Sequence, residues 1–190
     1  TIFRREIADI SRTPAYAVLA SITFVIFASI ITIGAGTGFI PAVVDLLLIT
    51  EVIIPLIAVV LGYRALLTDK QSGEFAVIKT YPASAGVYVI SVILARILAL
   101  SIIAGIPLAF VGVTVWLTAG PETSIYATHT GVDSPILFIR FISLTIVLGI
   151  SYLTIAAAVS TIATGKQSAL ALATVVLVVG VLGGDLAVVQ

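Results

Sequence analysis

From Ala15 to Ile33 the chain carries no charged side chain, and four later stretches are nearly as poor in charge. Runs of this kind are about 20 residues long, which is what an α-helix needs to cross about 30 Å of hydrocarbon. Only 9% of the 190 residues are charged and 61% are hydrophobic, against about 25% charged in an ordinary soluble domain. A water-facing surface cannot be built from so few charges, so the solvent for most of this chain is lipid. The expected fold class is all-α, a polytopic membrane helix bundle. It forms one membrane domain over residues 15–190, preceded by an amphipathic segment over 1–14.

Five spans are visible, over about 15–33, 42–63, 87–117, 136–163 and 169–184. Gly34, Gly36, Gly38 and Pro41 are expected to break the first span and return the chain. Pro107 is expected to kink the long third span. In the leading segment, Phe3, Ile7 and Ile10 recur at helical spacing, while Arg4, Arg5, Glu6, Asp9 and Arg12 supply a polar side. That pattern predicts a helix lying in the membrane interface, with a solvated pre-helix as the alternative. Pro14 ends it or turns the chain into the bilayer. With Thr1 first, no Met anywhere and no polar tail after Gly183, trimming is expected at both ends.

Lys and Arg set the expected orientation. With the amino terminus inside, Arg4, Arg5, Arg12, Arg64, Lys70, Lys79 and Lys166 all fall on the cytoplasmic side, and the opposite loops hold none. Arg140 can snorkel outward and Arg96 inward. The expected location is the cell (plasma) membrane, multi-pass, with a cytoplasmic amino terminus. The first apolar run is too long for a signal peptide and lacks a cleavage site of small residues. Zero net charge points to no nucleic-acid partner. The absence of Cys excludes disulfides and thiolate chemistry.

The most informative segment is 64–86, the longest polar stretch. Arg64, Asp69, Lys70 and Glu74 surround Gly73; Phe75, Val77, Ile78 and Tyr81 follow as an apolar set, and Pro82 stops it. An apolar face kept between charges suits docking on a partner protein. A loop lying on the protein's own membrane surface fits the same pattern.

This segment resembles the permeases of the type-2 ATP-binding-cassette exporters. Asp69-Lys70, Gly73, Val77-Ile78, Pro82 and Ser84 match the order and spacing that family shows after its second span. Arg5-Glu6-Ile7 with Asp9, Arg12, Thr13 and Pro14 resembles its interfacial connecting helix. Gln71 stands where a second acid is usual, Glu74 replaces a hydroxyl residue, and Ala85-Gly86 lacks the common basic residue. The resemblance implies a transmembrane permease subunit that couples ATP hydrolysis on separate ATPase subunits to substrate translocation. Asp69, Lys70, Gly73, Glu74, Phe75, Ile78, Pro82 and Ser84 would then form the coupling loop. It implies a dimer with a second permease copy, and six spans, one of them beyond Gln190. It also implies no cofactor on this chain, with ATP and Mg on the partner.

The chain itself shows no catalytic constellation. Gly165-Lys166 lacks the first Gly and the following Ser or Thr of a P-loop, and no strand precedes it. Glu122, His129 and Asp133 share a loop without ligand spacing. Ionisable groups inside spans face a bundle interior, a partner or water. Glu51 and Arg96 both approach the expected midplane, so an interhelical ion pair is one role; a substrate-path acid and exposure at a shorter boundary are the others. Ala95/Ala99 and Ala169/Ala173 are spaced for close helix contact. Tyr63, Tyr81, Tyr88, Trp116 and Tyr126 are expected as interface anchors. Two further classes stay open beside the exporter permease: an ion-coupled secondary carrier using Glu51, and a membrane scaffold or assembly protein that moves nothing.

Overall fold

The computed structural model describes residues 2–34, 38–63, 65–66, 85–118, 135–163 and 165–188. They form six helices: α1 (Ile2–Arg12), α2 (Pro14–Gly34), α3 (Phe39–Gly62), α4 (Ala85–Thr118), α5 (Pro135–Ile162) and α6 (Lys166–Val188). There are no strands among the described residues. Four helices, α2 to α5, are long and apolar enough to cross a membrane. The protein is therefore a polytopic membrane helix bundle. The expected fifth span falls on α6, whose apolar stretch among the described residues, Gln167–Val181, is shorter than those of α2 to α5.

Lipid offers no hydrogen bonds, so every backbone group must find a partner inside the helix. Hydroxyl side chains obey the same rule. Thr23 donates to the Leu19 carbonyl, Thr50 to Leu46 and Leu47, Ser101 to Ile97, and Ser160 to Ala157. Such back-bonding lets a polar residue sit inside a span without an interhelical partner.

Proline and glycine mark the corners. Pro14 opens α2, where its missing N–H is not needed. Gly38 caps α3 with φ 98°, a conformation that a Cβ disfavours. Pro41 was expected as a breaker, but it lies in the first turn of α3, where no helical partner for its N–H exists. Pro55 sits mid-helix in α3 and Pro107 in α4. Each withholds the hydrogen bond normally made to the carbonyl four residues earlier.

α3 and α5 form the most extensive helix pair, with α4 packed on both and α2 against α4. Close approach depends on small residues. A Cβ on Gly62 would lie 2.7 Å from the Ala156 Cβ and 2.8 Å from the Leu153 carbonyl oxygen. At the opposite end of the bundle, Gly112 leaves the space filled by Phe138, where a Cβ would come within 2.8 Å of the ring. Phe138 also packs on Phe39 and Phe141, with ring centroids 6.1 and 5.8 Å apart. Ala95, Ala99, Ala169 and Ala173 are buried, as their spacing predicted. α6 joins through Ala173 against Val59 and Ala156, and Tyr63 packs on Ala163 and Ala169.

α1 is amphipathic in the expected register. Phe3, Ile7 and Ile10 are half-buried while Arg4, Arg5, Asp9 and Arg12 are exposed, and α1 lies mainly across α4. Arg5 and Asp9 form an i, i+4 ion pair at 3.8 Å. Glu6 is half-buried.

Candidate functional site

Arg96 and the charged side of α1 lie at one end of the bundle, at the root of segment 64–86. Helix α3 ends there, and the last carbonyls of any helix lack intrahelical partners. Three of them have partners here. The Tyr63 N–H donates to Val59 O, the Ala65 N–H donates to Gly62 O, and the Arg96 guanidinium takes Leu61 O at 2.7 Å. Arg96 also donates to Ala65 O at 3.5 Å and to the Tyr16 hydroxyl at 3.4 Å. One side chain on α4 thus ties together α2, the last turn of α3 and the first residues after it.

The placement is electrostatically sound. A helix carboxyl terminus carries a partial negative charge that favours a cation, and carbonyl acceptors suit a planar guanidinium. Arg96 is only 8% exposed and its Nε has no hydrogen-bond partner among the described residues. Beside it Ala65 and Leu66 are buried against Tyr88, Val92 and Ala157, with Ile2 of α1 packed on the same cluster. Tyr88, expected as an interface anchor, is instead part of this packed root.

The expected Glu51–Arg96 ion pair is not formed. Arg96 is bonded to Leu61, ten residues along α3 from Glu51, which at about 1.5 Å per residue is about 15 Å. The reason is how α4 is set along α3. It has 34 residues, about 51 Å of helix, and so overshoots a hydrocarbon layer of about 30 Å. Arg96 therefore sits level with the end of α3 rather than at the midplane. The bounds of α4 are close to the expected 87–117, but nothing in the linear pattern fixes how far it slides along α3.

Glu51 itself stands near the middle of the 24-residue α3, half-buried. It lies within electrostatic reach of Tyr152 on α5, whose hydroxyl rests against Gly180 of α6. Pro55 also removes the helical partner of the Glu51 carbonyl. The acid, the freed carbonyl and the phenol mark a polar spot inside the span. Asp45 lies six residues nearer the opposite end.

The remaining sequence candidates divide. Arg5, Glu6, Asp9 and Arg12 are on α1, at the same end as Arg96. Asp69, Lys70, Gly73, Glu74, Phe75, Ile78, Pro82 and Ser84 lie outside the described residues, as do Glu122, His129 and Asp133. At Gly165 the N–H donates to the Ser168 hydroxyl, which donates back to the Gly165 carbonyl. This is the capping turn that starts α6. Arg140 is exposed in the second turn of α5.

Sequence reasoning missed the Arg96 hub. The available signals were a lone Arg early in a span and a preceding span ending in Gly62-Tyr63, but nothing in the linear pattern joins them. The chain matches no family model and no curated protein.

Proposed function

We propose that the chain is the transmembrane permease subunit of an ATP-driven exporter, with segment 64–86 seated on a separate ATPase subunit. The observation that carries this reading is the Arg96 hub at the root of that segment. A coupling element needs a stiff attachment, because a displaced loop moves a helix only if the joint between them does not yield. Arg96 bolts the joint to α2 and α3 from its place on α4, and Ala65 and Leu66 add apolar packing below it. α1 lies across α4 at the same end, as an interfacial connecting helix would. The Lys and Arg distribution supports a cytoplasmic placement of this end, and the reading takes the membrane to be the plasma membrane. A second permease copy would complete the path, and ATP with Mg would stay on the partner, leaving this chain without catalysis of its own.

The test is reconstitution. The chain is purified in mild detergent, and any ATPase subunit that travels with it is placed with it in vesicles. Hydrolysis that depends on the permease, and that falls when Arg96 is replaced while the complex still assembles, supports the reading. Purification with no ATPase, and ATP hydrolysis indifferent to this chain, ends it.

Glu51 favours a second reading, an ion-coupled carrier, because a half-buried acid at mid-span, with its own carbonyl freed by Pro55 and Tyr152 within electrostatic reach, is suited to hold a proton or cation. Vesicles holding the chain alone, given a pH gradient and no ATP, separate the two.

A further inference from the structure

The corner between α1, α2 and α4 holds an apolar cavity of about 230 Å³. Ile7, Ile10 and Ser11 of α1 wall it against Tyr16 and Ala17 of α2 and Ala99 of α4. A second cavity of about 360 Å³ follows along the α2–α4 seam, between Ala20, Phe24 and Pro107. Ile102 and Ile103 line both. The two make one groove running along α4 from Ala95 to Pro107.

We propose that this groove is a binding site for an anionic phospholipid, one acyl chain lying along the α2–α4 seam and the phosphate held at the α1 end. Three observations converge on that occupant. The lining is predominantly apolar, with Ser11, Ser21 and the Tyr16 hydroxyl as its polar members, and it opens on the flank of apolar helices long enough to span a membrane. Its length also fits. Ala95 to Pro107 is twelve residues, about 18 Å of helix, close to the depth of one leaflet of a hydrocarbon layer about 30 Å thick.

The charge lies at the correct end. Arg4, Ile7 and Ser11 follow one stripe of α1 at i, i+3 and i+7, so an exposed cation heads the stripe whose next two members line the groove. Tyr16, also in the lining, accepts a hydrogen bond from the Arg96 guanidinium, which adds positive potential at the same end. A zwitterionic lipid would satisfy the apolar lining but offer Arg4 no net negative charge. The inference stands apart from the exporter reading, since it needs only that the helices sit in a bilayer.

Native mass spectrometry of the purified chain, titrated with dioleoyl phosphatidylglycerol and dioleoyl phosphatidylcholine, tests it. One phosphatidylglycerol should be retained with a preference of about fivefold over phosphatidylcholine, the scale of one basic residue near an anionic surface. Arg4→Gln should abolish the preference while a lipid still binds. Ala17→Phe fills the groove from an exposed position and should remove the retained lipid; Leu98→Trp, also on an exposed lining residue, repeats the test if the first variant fails to fold. Equal retention of both lipids by the unaltered chain overturns the proposal, and so does unchanged retention in the folded groove-filling variants. Single cysteines at Ala17 and Leu98, in a chain that has none of its own, check the other occupant: a disulfide between copies in phosphatidylglycerol vesicles would place a second subunit in the groove and overturn the lipid assignment.

Discussion

Arg96 and Glu51 are both single charges inside apolar helices, and the structure treats them in opposite ways. Arg96 is almost fully buried and is taken up by two backbone carbonyls and a phenol at the end of α3. Glu51 is half-buried at the middle of α3, with Tyr152 as its electrostatic neighbour. The difference follows from what a membrane helix can offer. Its carboxyl end presents unpaired carbonyls to a cation, whereas its middle has already used its backbone donors and has nothing for a carboxylate. A buried arginine can therefore be structural where an acid at mid-span is left available.

The sharpest test of that contrast is Arg96→Met. It strands Leu61 O and Ala65 O without their donor, and hydrogen bonds to charged groups contribute about 1.5–3 kcal/mol each. A loss of about 3 kcal/mol is expected, read as a fall in the thermal midpoint of about 6–12 °C in detergent. Arg96→Lys should recover only part of it, because an ammonium cannot reach both carbonyls with a planar fork. If Arg96→Met unfolds at the unaltered midpoint, the hub carries no stability.

Gly62→Ala probes the same end without touching charge. Its Cβ meets backbone and Ala156, which cannot swing aside, so a loss of about 1–3 kcal/mol from overpacking is expected. Chemical or thermal unfolding would show it, and a neutral result would mean that α3 and α5 can separate at little cost.

Glu51→Gln should move stability by about 1 kcal/mol or less, in either direction, since no ion pair is lost. The double reversal of Glu51 and Arg96 should fail to restore what Arg96→Glu alone destroys. Rescue of assembly in that double variant would reinstate the ion pair. The smallest effect belongs to Asp9→Ala: an exposed i, i+4 pair is worth about 0.3–0.5 kcal/mol, and thermal unfolding should hardly register its loss.

Several elements were legible in the residues. The spans could be read because bilayer thickness imposes a length, and hydropathy reports it directly. The register of α1 could be read because Phe3, Ile7 and Ile10 repeat at helical spacing. Ala95, Ala99, Ala169 and Ala173 were legible as contact faces because only small side chains let membrane helices approach. Two expectations failed for one reason. Pairing Glu51 with Arg96 and placing Tyr88 at an anchor both depended on how far α4 slides along α3, which the bounds of the span do not fix. The helix begins at Ala85 and carries its first turns beyond the end of α3, which puts Tyr88 in the packed root and Arg96 beside Leu61.

By itself, then, the sequence determined that this is a bundle of apolar helices with an amphipathic helix before them, because those properties depend on local periodicity and on the solvent. Which charge meets which partner depended on how far each helix slides along its neighbours. That offset is set by contacts such as Gly62 on Ala156 and Phe138 in the space left by Gly112, between residues far apart in the chain. Only the tertiary structure could decide that Arg96 closes the end of α3 while Glu51 stays at its centre.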